Sequence, residues 1–293
     1  MARGPFRSDI QSLKGRSQIK KTRPRVVTSL EAGQWDPGDY EHMVYRAHRY
    51  CQFNYLNLES NGGSVVDQFV ASLHLPIPAV RLAKYRQSPE SNLHMLTNYF
   101  WNMALSESLY PTLHGVELAL RNTIHATLTN RYGTEEWWDR PHTLHRYQRD
   151  EVDKKRQRYF KKYGVPISPG HLVAELTFGF WVIVLSGTHV SNIWRWKRFL
   201  LVDQAFPYRG SNDLSVLYTR FNEIRGLRNR VMHYERIFDR PDLRRDHADI
   251  HEAIQWISPD LHAGIHAVDR FLDIRQYGWD RAYRHLHGML GGP

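Results

Sequence analysis

Asn212-Asp213-Leu214-Ser215-Val216-Leu217-Tyr218-Thr219-Arg220-Phe221-Asn222-Glu223-Ile224-Arg225-Gly226-Leu227-Arg228-Asn229-Arg230-Val231-Met232-His233-Tyr234-Glu235-Arg236-Ile237-Phe238 is the most informative stretch of the chain. Its period is helical, and the spacing predicts a helix over 213–233. The inward stripe reads Leu214, Leu217, Phe221, Ile224, Arg228, Val231, which sets an arginine on the core face. A buried guanidinium is costly unless it is paired or faces a wet groove. Arg228 therefore sits either in a buried ion pair or at a site. Residues four apart on a helix are offset by about 40° and residues five apart by about 140°. Asn229 and His233 thus share a face, where an amide can hold an imidazole in one orientation and tautomer, as proton transfer requires. Arg228, one step round, has a fork long enough to hold a phosphate oxygen bidentately. Oxyanion clamp, proton carrier and orienting amide are parts for cutting a phosphodiester. The competing reading makes His233 a helix-C-terminal histidine that complements the macrodipole.

Working outward, the other segments are helical too. Leu93, Leu96, Phe100 and Met103 follow a Ser88-Pro89 start signal. Pro111 either kinks that helix or starts the next, whose stripe is Leu113, Val116, Leu120, Ile124 and Leu128, closed by Gly133. A charged helix is expected from Arg146 to Lys162, closed by Gly164. Ser168-Pro169 opens an apolar run from Leu172 to Leu185 that reads as one central helix. Further helices are expected at 190–206, 242–257 and 261–274. No alternating β pattern, repeat or low-complexity tract is present. The fold class expected is all-α, a multi-helix bundle. Its domains are a basic, mobile tail over 1–30, a segment over 31–80 that docks on the body through aromatics such as Trp35, Tyr40 and Tyr45, and a helical domain over 81–290.

Composition narrows the function. Forty Lys plus Arg against thirty Asp plus Glu leave a net charge of +10, which favours a polyanionic partner. The single cysteine, Cys51, excludes an internal disulfide framework and a multi-Cys zinc site. No apolar run approaches the roughly 20 residues of a membrane span, so a soluble, cytoplasmic protein without membrane contact is expected. Neither a P-loop nor a G-x-G-x-x-G motif occurs, and no cofactor is expected.

Arg228-Asn229-(three residues)-His233 resembles the R-N-x-x-x-H signature of the HEPN superfamily of α-helical nucleases and nucleotide-binding modules. Arg81-Leu82 with Tyr85, Glu117-Leu118-Ala119-Leu120-Arg121-Asn122, Arg131-Tyr132-Gly133 and Glu175-Leu176-Thr177-Phe178-Gly179-Phe180-Trp181 resemble, in this order, landmarks of the Abi-like abortive-infection proteins of the AbiD and AbiF type. The resemblance covers about Arg81 to Phe238. It implies a HEPN-type bundle and a metal-independent endoribonuclease, usually paired as a homodimer, in which a ribose 2′-hydroxyl attacks the adjacent phosphorus. His233 then acts as general acid or base, Arg228 stabilises the phosphate, and Asn229 orients the histidine or substrate. Glu117, Arg121, Asn122, His125 and Arg225 are supporting candidates; Glu117 and Arg121 read equally well as a stabilising i,i+4 pair. The implied role is an abortive-infection or toxin-like effector in antiphage defence, with RNA as partner and a neutralising RNA or protein as a second one. The rival is a non-catalytic RNA- or protein-binding module of the same fold; a DNA-binding regulator is the weakest reading, since no helix-turn-helix pattern stands out.

Two histidine pairs at i,i+4, His247 with His251 and His262 with His266, have metal-ligand spacing. Neither has an obvious third ligand, so both read as solvated histidines and no metal ligands are expected. Trp137-Trp138 and Trp194-Trp196 read as core or interface anchors. The 146–162 stripe of cations with Tyr147, Tyr159 and Phe160 reads as a solvated helix face that adds to nucleic-acid binding.

Overall fold

The computed structural model describes residues 64–87, 89–186 and 198–291. The tail and docking segment up to residue 63, Ser88, Trp194 and Trp196 lie outside them. The described residues contain no strand. In chain order the helices are α1 (Val65–Leu73), α2 (Ala79–Ala83), α3 (Asn92–Ser108), α4 (Tyr110–Tyr132), α5 (Arg146–Tyr163), α6 (Pro169–Glu175), α7 (Phe178–Val184), α8 (Arg198–Ala205), α9 (Leu214–Met232), α10 (Leu243–Ile257), α11 (Pro259–Val268) and α12 (Phe271–Met289), with a 3₁₀ turn at Trp137–Asp139. None is long and apolar enough to cross a membrane.

The centre of the bundle is α4. Its buried face, Leu113, Val116, Leu120, Ile124 and Leu128, is the stripe expected from the sequence. Against it pack α10, α7, α11 and α8. Pro111 falls in the first turn of α4, where a missing N–H costs nothing. Gly133 ends the helix in the left-handed region, at φ 67°. Close approach of α11 needs Gly115: a Cβ there would lie 2.0 Å from Ile265 Cδ1, on a side chain that is itself buried. Gly115→Val should therefore cost about 1–3 kcal/mol through overpacking. A urea titration that leaves the unfolding midpoint unchanged would contradict this.

The most extensive helix pair is α3 with α12. Two indole N–H groups fasten it: Trp101 donates to the Ile274 carbonyl at 2.9 Å, and Trp279 to Asn98 Oδ1 at 2.8 Å. The short α1 and α2 also rest on α3, burying Val70 and Leu82.

Several boundaries differ from the sequence reading. The helix after Ser88-Pro89 starts later, with Ser91 as its cap; Ser91 Oγ accepts the His94 N–H at 3.3 Å. The run Leu172–Leu185 is not one central helix. Thr177 interrupts it and caps α7, its Oγ1 accepting from Phe180 N at 3.2 Å. A hydroxyl two residues past the end of α6 offers the backbone an alternative to continuing, and apolar burial of Phe178, Phe180, Trp181, Val182 and Val184 then fixes α7. Of the helix expected at 190–206, the described part begins at Arg198. The helix expected over 261–274 is two: α11 starts at Pro259, and the chain breaks at Asp269 and Arg270 before α12.

Candidate nucleic-acid interface

Within α9, Asp213 is the N-cap; its Oδ1 accepts from Ser215 N at 2.9 Å and Val216 N at 3.0 Å. The buried stripe is Leu214, Leu217, Phe221, Ile224, Leu227 and Val231. Leu227, not Arg228, takes the core position. Arg228 lies at the edge of the core, its side chain 31% exposed, and its Nε donates to Glu117 Oε2 of α4 at 3.3 Å. The structure thus joins two of the residues singled out in the sequence, in a half-buried ion pair between α9 and α4.

His233 is the C-cap of α9 and is exposed. Its N–H donates to the Asn229 carbonyl at 2.9 Å. That backbone bond is what links the two; among the described residues no side-chain hydrogen bond joins them. Beyond His233 the chain closes a Schellman turn: Tyr234 N donates to Val231 O at 3.1 Å and Glu235 N to Arg230 O at 2.8 Å. The turn needs a left-handed residue, usually glycine. Here Tyr234 holds φ 57°, a conformation that costs an L side chain about 1–2 kcal/mol.

The turn is held from outside. Arg81 Nη2 donates to the Tyr234 carbonyl at 2.6 Å, and the Arg236 guanidinium donates to the Lys84 carbonyl. Asn102, buried on α3, does most. Its Oδ1 accepts from Ile237 N at 2.7 Å and Phe238 N at 3.1 Å. Its Nδ2 donates to the Glu235 carbonyl at 3.3 Å and to Tyr85 Oη at 3.4 Å. Tyr85 stacks on Phe238 with ring centroids 5.8 Å apart. Burial pushes the Tyr85 phenol above its ordinary pKa, against the opposing charge of Arg81.

These contacts shape a groove of about 560 Å³ beside His233. Five cations wall it, Arg81, Lys84, Arg230, Arg236 and Arg240; three of them are ion-paired, Arg230 with Glu235 at 3.8 Å, Arg236 with Asp239 at 3.0 Å and Arg240 with Asp246 at 2.9 Å. Across Arg81, Tyr85 and Tyr234 lies an apolar hollow of about 760 Å³, with Tyr99, Met103, Tyr110 and Met232 in its walls. Basic groove and aromatic hollow share one rim, which suits a phosphate chain on one side and a base on the other. Arg228 and Asn229 are not among the walls of either.

The remaining candidates scatter. Trp137 Nε1 donates to His125 Nδ1 at 3.1 Å, and the His125 ring stacks on Trp138. Burial pushes its pKa down, against the weaker effect of Glu135. It serves the buried tryptophan pair. Arg225 donates to Asn222 Oδ1 at 2.7 Å and lies against Gly179 of α7. Arg121 Nε is shielded from solvent and has no acceptor among the described residues, and Asn122 is exposed. On α5, Arg156 is held by Asp139 at 2.8 and 2.6 Å and Lys155 by Glu175, so part of that cationic stripe is neutralised.

Sequence reasoning passed over Lys84, Arg230, Arg236, Arg240 and Asn102. The four cations gather only because Arg81 and Arg236 tie α2 to the turn after α9. No family model, curated protein or solved structure matches the chain.

Proposed function

We propose that the protein is a metal-independent endoribonuclease on a HEPN-type bundle, acting as an abortive-infection or toxin-like effector in bacterial antiphage defence. The observation that carries this reading is the position of His233. It is an exposed imidazole at a helix end, opening on a groove walled by five cations, where a phosphodiester would be drawn and held. His233 moves the proton to or from the ribose 2′-hydroxyl or the leaving 5′-oxygen, and Arg81 and Arg230 hold the phosphate oxygens. Arg228 and Asn229, which the R-N-x-x-x-H resemblance assigns to the site, are not in the walls of that groove; a second copy of the chain that packed α9 against α9 would bring one set to the other's groove. A homodimer therefore belongs to the proposal, and so does a neutralising partner.

The strained Tyr234 supports RNA as the ligand. Glycine would satisfy the turn without strain, so the exposed ring earns its place through contact, as a stacking platform for a base. Tyr234→Gly should stabilise the fold by about 1 kcal/mol and weaken RNA binding by about 1–3 kcal/mol. Thermal melts and fluorescence anisotropy measure the two; equal affinity in the variant would remove the stacking role.

The reading is tested with one oligonucleotide sequence in ribose and deoxyribose form. The RNA is cut and the DNA is bound intact, because only RNA carries the nucleophile. One observation favours the rival, a non-catalytic RNA-binding module: Arg228 already has Glu117 as its partner. Binding of both oligonucleotides with cleavage of neither would select that rival.

A further inference from the structure

We propose that His247, His251 and Asp269, with His262 and His266 beside them, form a binding site for a divalent transition-metal ion of the zinc class. The two histidine pairs lie on different helices, α10 and α11, and the break at Asp269 brings its carboxylate to the α10 pair. His247 Nε2 and His251 Nε2 approach the same oxygen, Asp269 Oδ2, at 2.6 and 2.7 Å. One ligand atom from each of the three lies within 4.8 Å of the others. The His262 ring stands 5.2 Å and the His266 ring 5.8 Å from the His251 ring.

The support around these atoms is built as a metal site requires. Asp269 Oδ1 accepts the Phe271 N–H at 2.8 Å, which fixes the carboxylate. The Phe271 ring stacks on His247 at 4.3 Å, which fixes the imidazole. His247 is buried and the side chains of His251 and Asp269 are nearly so, while His266 is exposed and leaves a path for entry. The reading of these histidines as solvated is thus corrected for His247 and His251, and the third ligand is Asp269.

The donor set chooses the metal. Two to four imidazoles and one carboxylate suit zinc, cobalt, nickel or iron; magnesium and calcium prefer all-oxygen shells. In the metal-free arrangement each Nε2 lies within hydrogen-bond distance of Asp269 Oδ2; to ligate, each ring would carry its hydrogen on Nδ1 and turn the Nε2 lone pair to the metal. The metal would staple α10, α11 and the start of α12. It lies outside the His233 groove and does not depend on the nuclease reading.

Full-length protein, stripped with chelator, is titrated with zinc alone by calorimetry and with cobalt by visible absorption. The expected result is one saturable ion per chain, a cobalt spectrum of nitrogen and oxygen donors, and binding weakened at least about 100-fold in His251→Ala and Asp269→Asn but unchanged in His285→Ala. Diethyl pyrocarbonate mapping on the wild type needs no variant to fold: zinc should protect histidines 247–266 while His94, His114 and His285 stay reactive. No saturable binding by the wild type, protection elsewhere, or folded variants that bind as tightly as wild type would each overturn the site.

Discussion

His233→Ala is expected to bind RNA as the wild type does and to cut it about 10²–10⁴-fold more slowly, the range for loss of a general acid or base. The asymmetry follows from the groove. The cations proposed to hold phosphate, Arg81, Lys84, Arg230, Arg236 and Arg240, are all untouched by the change. His233 is exposed and caps α9 through its backbone N–H, so alanine keeps the cap bond and costs little stability. A single-turnover assay on labelled RNA, paired with anisotropy, separates the steps. Equal cleavage rates would remove His233 from the chemistry.

Asn102→Leu has the largest expected effect on the fold. Leucine fills similar space but leaves the Ile237 and Phe238 N–H groups buried without an acceptor. Each orphaned group costs about 1–3 kcal/mol, for a total of about 2–6 kcal/mol. Because the turn after His233 hangs from that amide, RNA affinity should fall as well, even below the unfolding transition. Urea unfolding measures the first effect and anisotropy at low urea the second. A midpoint within a few tenths molar of wild type would mean that water takes over the amide's role.

Helix α9 was legible from end to end, since Asp213 caps it and an apolar stripe broken only at Arg228 follows. The misplacement of Arg228 has a simple origin. From Ile224 a step of three reaches Leu227 and a step of four reaches Arg228, and both fall near the core face. The cost of desolvating a guanidinium decides between them, so the helix settles with leucine inward and arginine at the rim beside Glu117. Hydropathy alone joined Leu172 to Leu185 because Thr177 reads as a tolerable polar residue; its capping hydroxyl broke the helix instead. The same kind of break at Asp269 hid the carboxylate that meets His247 and His251.

Asn102 was illegible for another reason. Its acceptor bonds go to backbone N–H groups more than a hundred residues away, and a lone asparagine in a helix carries no local sign of that. The groove's cations were unreadable likewise, since α2 and the turn after α9 meet only in the folded chain. What carries a short-range signature, His233 at the end of α9, was visible from the sequence.

The most direct test is the chemistry of the cut ends. Pure protein is incubated with a defined RNA in the presence of chelator, helicity is checked under the same conditions, and the products are analysed by mass spectrometry. Attack by the ribose hydroxyl predicts 2′,3′-cyclic phosphate on one fragment and 5′-hydroxyl on the other, with neither formed at comparable rate by His233→Ala. Fragments ending in 3′-hydroxyl and 5′-phosphate, or intact RNA from folded, RNA-bound protein, would contradict the account.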